Sequence, residues 1–199
     1  LIVQQMNDTL SEQNDQNMFV TFFVGVLDIK SGKLSYCNAG HNAPVLINNA
    51  HATSKEIEVI PNLPVGIMVG YEFEEQEIQL ALGDTIFLYT DGLTEAENKK
   101  HEQFGEARMM STLSHLVALR PRQIVDRMDS EIASFVGNAQ QRDDLTMMAI
   151  RYQVPAIVMR NDIRQIPTLA EWVEGLRIPT EMNMPKNLAL EEAVSNVML

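Results

Sequence analysis

Two apolar runs of this chain each adjoin an aspartate. Residues 86–89 lead into a Thr-Asp-Gly motif that contains Asp91, and residues 145–150 directly follow Asp143 and Asp144. An acid that ends one strand and an acid that begins another can lie at the same rim of a sheet, where oxygen-ligand sites for hard divalent cations are commonly built. The same pattern also fits an ordinary Asp-Gly turn and a solvated acidic loop, and spacing alone does not decide between these interpretations.

The order of the predicted elements favours an α+β sandwich. Hydrophobic patterning predicts strands first, two helices late, and a last strand that returns to the core, which differs from an alternating parallel α/β fold. The predicted segments are a helix over 1–13, strands over 19–29, 34–38, 44–47, 56–60, 78–82 and 86–89, helices over 104–119 and 122–136, and a strand over 145–152. No capping residue precedes the first helix, so Leu1 is not expected to be the native N-terminus.

The charge of the chain excludes several classes of partner. A formal net charge of −12 repels nucleic-acid phosphates and anionic lipids, so neither nucleic acid nor a membrane surface is expected to bind. No apolar run is long enough to span a bilayer, and the N-terminal residues lack the pattern of a signal peptide. The single cysteine, Cys37, excludes an internal disulfide and reads as a small buried residue. A cytoplasmic location is expected.

An ordered set of motifs resembles the PPM-type metal-dependent serine/threonine phosphatases, and among them the bacterial SpoIIE-like branch that regulates sigma factors. The resemblance covers about residues 1–152. It implies an α-β-β-α sandwich, a binuclear Mn or Mg centre, and direct hydrolysis of phosphoserine or phosphothreonine on an anti-anti-sigma-type protein by metal-activated water. The matching segments are 19–23, 38–44 (Asn-Ala-Gly-His-Asn-Ala-Pro), 63–66, 82–84, 89–96 (Tyr-Thr-Asp-Gly-Leu-Thr-Glu-Ala) and 142–146 (Arg-Asp-Asp-Leu-Thr).

The resemblance also implies site residues and a missing part. Asp91 and Asp143 would be metal ligands, with Asp144 the competing choice for the second. The family's earlier Gly-Asp and Asp-x-Ser-Gly-like motifs have no match in this sequence. The phosphatase domain is therefore expected to be incomplete at its N-terminus and inactive as this fragment. The alternative is a non-catalytic signalling module that keeps the phosphatase fold, and a homodimer is compatible with either reading.

Residues 153–199 read as a second unit. The segment 188–196 resembles the N-box helix of GHKL-type ATP-binding domains of anti-sigma-factor kinases, whose fold is an α/β sandwich. Glu192 and Asn196 are four residues apart and share a helix face, as an acid and a Mg-coordinating amide would require, although an ordinary amphipathic helix has the same spacing. Such a domain would bind ATP and Mg only when complete, and could bind a sigma factor. Trp172, Leu176 and Leu188 are expected to pack on the phosphatase domain or on a second copy.

His41 has two interpretations. A histidine after Ala39-Gly40 could donate a hydrogen bond to phosphate or act as a general acid. It could equally brace a turn, which is the more frequent role, so no residue is assigned as catalytic.

Overall fold

The structure, a computed structural model, describes residues 2–12, 14, 18–141 and 144–153. Asp143 and the whole segment 154–199 lie outside the described residues. The predicted roles of Glu192 and Asn196, the predicted packing of Trp172, Leu176 and Leu188, and the domain boundary at residue 153 therefore stay predictions. In the part of the chain that is described, no helix is long and apolar enough to cross a membrane.

The described residues form four helices and seven strands. The seven strands and three of the helices follow one another in the predicted order, whereas the short helix at Asp91–Thr94 was not predicted. The elements are α1 (Ile2–Glu12), β1 (Phe22–Leu27), β2 (Lys33–Ala39), β3 (Val45–Asn48), β4 (Thr53–Glu56), β5 (Gln76–Gln79), β6 (Thr85–Tyr89), α2 (Asp91–Thr94), α3 (Gly105–His115), α4 (Pro121–Val136) and β7 (Met147–Arg151). All strand pairs are antiparallel, in a three-stranded sheet of order β1-β2-β5 and a four-stranded sheet of order β4-β3-β6-β7.

Side-chain alternation along β2 shows how the three-stranded sheet is covered on both faces. Leu34 and Tyr36 face a cluster shared with the other sheet, whereas Cys37 and Ala39 face Val3 of α1. Successive side chains of a strand point to opposite faces, so one short strand contributes to two cores. Cys37 is buried as predicted, and burial raises the pKa of its thiol.

The four-stranded sheet is covered in the same way. Ile86 and Leu88 of β6 lie in the core between the sheets, whereas Phe87 and Tyr89 pack among side chains of α3 and α4. Phe87 is fully buried, and burial of such a side chain contributes about 1.5–3 kcal/mol. The layers are therefore α1, three-stranded sheet, four-stranded sheet, and α3 with α4. The predicted α-β-β-α sandwich is confirmed.

One predicted strand is misplaced. A strand was expected over 56–60, but β4 ends at Glu56 and only the Ile57 N–H, which donates to the Pro44 carbonyl, extends the ladder. Beyond Ile57, backbone groups form hydrogen bonds with side chains instead of with a neighbouring strand. The Tyr36 hydroxyl donates to the Glu58 carbonyl, and Gln76 Oε1 accepts from the Ile60 N–H. Because these groups are satisfied outside a ladder, the segment is not a strand.

The core between the sheets opens on one side. Among the described strands, β1 and β7 are edge strands, and a groove of about 340 Å³ lies between them. Met148 and Ile150 of β7 border this groove and are 49% and 46% exposed, because no described residue covers them.

Candidate functional site

Asp91 and Asp144 lie at the same rim of the four-stranded sheet. Their strands, β6 and β7, are neighbours, and the last residue pair of the ladder is Tyr89 with Met147. Asp91 follows β6 and Asp144 precedes β7, so an antiparallel pairing brings both to one end. The structure thus confirms that the two acidic motifs meet. It does not describe Asp143, and the metal-ligand role of the three aspartates stays a prediction.

Thr90 fixes the two strand ends to each other. Its N–H donates to the Thr146 carbonyl at 3.1 Å, its hydroxyl donates to the Asp144 carbonyl at 3.1 Å, and the same hydroxyl accepts from the Thr146 N–H at 3.1 Å. Sequence reasoning did not assign a role to this residue. The signal was present, since a threonine occurs in both matching motifs, Thr-Asp-Gly and Asp-Asp-Leu-Thr.

Gly92 allows the two strand ends to approach closely. A Cβ added to Gly92 would lie 2.5 Å from the Asp144 carbonyl oxygen and 3.0 Å from its carbonyl carbon. Backbone atoms at such distances cannot be accommodated without movement of one chain segment. The glycine of the Thr-Asp-Gly motif is thus required by the contact between the two acidic segments.

The Asp91 carboxylate is available to a ligand. Asp91 is exposed and begins α2, and its backbone carbonyl accepts from the Glu95 N–H at 2.8 Å. Its Oδ1 accepts from the adjacent Gly92 N–H at 3.0 Å, whereas Oδ2 has no hydrogen-bond partner among the described residues. A carboxylate oriented through one oxygen can offer the other to a cation.

Glu95 and Glu97 place further carboxylates near this rim. They line a cavity of about 130 Å³ that borders Gly92 and is also lined by Gln103, Gln140 and Gln141. Sequence reasoning missed this cavity because its walls come from segments far apart in the chain. Within the described ranges, no group of three or more His, Cys, Asp or Glu side chains is spaced to hold a metal ion. Oxygen donors suit Mn or Mg, but Asp91 and Asp144 would supply only part of the roughly six ligands that such ions take.

The loop between β2 and β3 lies at the same rim. Tyr89, the last residue of β6, is buried here, and burial raises the pKa of its phenol to about 12. His41 follows a turn closed by Asn38, whose Oδ1 accepts from the His41 N–H at 2.7 Å and whose Nδ2 donates to the His41 carbonyl at 2.8 Å.

Known proteins resemble most of this chain. A model of the family Stage II sporulation protein E (SpoIIE) matches residues 1–153. Protein IcfG from Synechocystis sp. is 35% identical over 149 residues, which are 74% of this chain and 23% of IcfG. Phosphoserine phosphatase RsbU from Bacillus subtilis is 24% identical over 155 residues, which are 77% of this chain and 45% of RsbU. The chain thus spans less than half the length of either curated relative.

A solved structure shares the fold. The RsbU and RsbW domains of Rv1364c from Mycobacterium tuberculosis superpose with a TM-score of 0.60 and 27% sequence identity, over 95% of this chain and 54% of that one. The family match covers more than half of the chain and includes both acidic motifs. The resemblance to the SpoIIE-like branch is therefore confirmed, and the chain belongs to the Stage II sporulation protein E (SpoIIE) family.

Proposed function

We propose that the protein carrying this chain is a metal-dependent serine/threonine phosphatase of a sigma-factor regulatory pathway. The observation that carries the proposal is the juxtaposition of Asp91 and Asp144 at one rim, held there by Thr90. Membership of the SpoIIE family and similarity to a phosphoserine phosphatase support the same reaction. The substrate is phosphoserine or phosphothreonine on an anti-anti-sigma-type protein.

The rim residues have distinct roles in this mechanism. When bound, Mn or Mg supplies a Lewis acid that polarises the phosphoryl group and activates water. Asp91 and either Asp143 or Asp144 would hold the cations through carboxylate oxygens. Thr90 holds the Asp144 backbone beside Asp91 by hydrogen bonds, and Gly92 leaves room for that approach. Positioning of this kind is effective because small displacements at a reacting centre reduce rates strongly.

The remaining metal ligands would come from parts of the protein outside these 199 residues. The chain alone should therefore bind Mn weakly, because two or three carboxylates leave the rest of the coordination shell to water. Isothermal titration calorimetry of this chain measures that affinity, with Asp91→Asn as the control. Tight, stoichiometric binding of two Mn ions would contradict the incomplete site.

The segment after residue 153 would begin a GHKL-type kinase-like domain. In a complete domain, Glu192 and Asn196 would serve ATP and Mg, and the domain would bind a sigma factor. Support comes from the chain with RsbU and RsbW domains, since its match extends over 95% of this sequence. A cytoplasmic location suits these partners.

The direct test is phosphate release by the full-length protein. A phosphorylated anti-anti-sigma-type protein should lose phosphate in the presence of Mn or Mg, and chelation of the metal should stop the reaction. Free phosphoserine serves as a comparison, because a protein phosphatase should prefer the folded phosphoprotein. Absence of release at saturating metal would refute the proposal.

The alternative is a non-catalytic signalling module with the same fold. It is favoured by the fact that the described residues contain no group of three or more candidate metal ligands. A module of this kind would bind the phosphoprotein with the same affinity in the presence and absence of metal, and would leave the phosphate in place.

A further inference from the structure

His41 and Asp91 lie beyond the same end of the four-stranded sheet. Val45 of β3 pairs with Phe87 of β6 in antiparallel register. His41 precedes Val45 by four residues, and Asp91 follows Phe87 by four residues. Because the two strands are antiparallel, both segments leave the ladder at the same end. His41 thus belongs to the rim that carries the two acids.

The turn before His41 does not need the imidazole. The buried Asn38 side chain makes both hydrogen bonds to the His41 backbone, and its own carbonyl accepts from Asn62 Nδ2 at 3.1 Å. Gly40 adopts a φ of +71°, and a Cβ there would lie 2.7 Å from Pro64 Cγ. Asn38 and Gly40 therefore determine the turn, and the bracing role first considered for the histidine is already filled.

The imidazole has one described contact. Its Nδ1 lies 3.4 Å from the Thr21 hydroxyl, and the side chain is partly exposed. If that hydroxyl donates to Nδ1, the neutral ring carries its proton on Nε2. Among the described residues Nε2 has no partner, so in this tautomer its N–H is available to a ligand at the rim.

We propose that His41 donates a hydrogen bond from Nε2 to a phosphoryl oxygen of the substrate, and that Thr21 positions the ring. The inference rests on the proposed phosphatase function and adds a substrate contact to its site. A phosphoryl oxygen is a strong acceptor, and a hydrogen bond to a charged group is about twice as strong as a neutral one.

Substitutions that move the donor test this role in the full-length protein. Glutamine can place an amide N–H near the position of Nε2, whereas asparagine places it near Nδ1. We expect His41→Ala and His41→Asn to lower kcat/KM by about 10- to 100-fold, and His41→Gln to retain most of it. Thr21→Val should cause a smaller loss, which His41→Ala should make undetectable in the double variant.

His51, in an exposed turn, is the matched control, and His51→Ala should leave kcat/KM unchanged. Thermal unfolding of each variant separates loss of contact from loss of fold. If His41→Ala fails to fold, His41→Gln and His41→Asn still test the proposal. Equal kcat/KM values for these two variants would overturn it. Full activity of a folded His41→Ala variant overturns this inference alone. A wild-type protein without phosphatase activity overturns the proposed function and this inference with it.

Discussion

Strand β6 has an aspartate beside each of its ends, and the two are used differently. Asp84, which precedes the strand, is 2% exposed. Its Oδ2 accepts from the Ala81 N–H at 2.9 Å, and its carbonyl accepts from the Tyr152 N–H at 2.8 Å. Each carboxylate has one oxygen without a partner among the described residues, but Asp84 Oδ1 is buried, whereas Asp91, which follows the strand, is exposed.

A glycine adjoins each aspartate, so the local sequence does not separate them. The two aspartates differ in the segment that lies beside them in the fold. At the Asp84 end, the Gly83 N–H donates to the Tyr152 carbonyl, and the Asp84 side chain is buried. At the Asp91 end, the neighbouring chain brings a second acid. A carboxylate inside a turn supports the fold, whereas two carboxylates at an open rim suit a cation.

The largest expected effect is on activity at the open end. In the full-length protein, Asp91→Asn should reduce Mn-dependent phosphate release by about 1,000-fold, because an amide lacks the charge that offsets a divalent cation and metal stabilisation contributes several kcal/mol. Stability should be unchanged or slightly higher, since removal of one acid relieves repulsion with its neighbours. Phosphate-release assays with thermal unfolding measure both properties. Near-normal turnover at saturating Mn would show that Asp91 is not a metal ligand, and the proposed functional difference between Asp91 and Asp84 would be wrong.

Gly92→Ala should lower both stability and metal-dependent phosphate release. The new Cβ would meet the Asp144 backbone, so the strand ends must separate, at a cost of about 1–3 kcal/mol in the free energy of unfolding. Metal affinity should fall as well. Gly25→Ala is the control, because there the nearest atom, at 3.0 Å, belongs to the movable Leu34 side chain. Equal stability of the two variants in urea titrations would show that the rim tolerates a wider spacing.

Asp84→Ala should act on stability alone. The Ala81 N–H loses its acceptor, which lowers the free energy of unfolding by about 1–2 kcal/mol. Asp84→Asn keeps an acceptor oxygen and should lose less. Phosphate release per folded molecule should stay at the wild-type value in both. A specific loss of activity in stable Asp84 variants would show that Asp84 also has a functional role, and the contrast with Asp91 would be wrong.

Tyr89 gives the smallest effect, visible only at alkaline pH. Burial keeps the phenol protonated up to a pKa of about 12, whereas in an unfolded chain it ionises near 10. The unfolded state therefore releases a proton first, so stability falls as pH rises from about 10 to about 12, by roughly 1 kcal/mol at pH 11. Tyr89→Phe should lack this part of the decline. Parallel curves for both proteins in urea titrations from pH 8 to pH 12 would show that Tyr89 is hydrated at the rim.

The sequence predicted the layers better than the contacts. The apolar run 86–89 correctly predicted β6, because a short continuous apolar segment between turn residues is typical of a strand that is buried on both faces. The position of β4 was wrong, since pairing with β3 rather than local composition decides which residues join the ladder. The bridging role of Thr90 was missed although both motifs contain a threonine, because its hydrogen bonds join segments that are far apart in the chain. The metal ligands were inferred from family motifs, and their function stays a prediction.

The pairing of β6 with β7 has a consequence for the rate of folding. The hairpin of β1 and β2 joins residues close in sequence, whereas the pair Tyr89 and Met147 closes a loop that contains both α3 and α4. Long loops lose more entropy on closure, and pairings of high sequence separation form slowly. Asp91 and Asp144 should therefore meet late in folding, after the two helices have packed. A substitution that slows the docking of α4 would delay the appearance of cation binding during refolding, even where the final protein is fully stable.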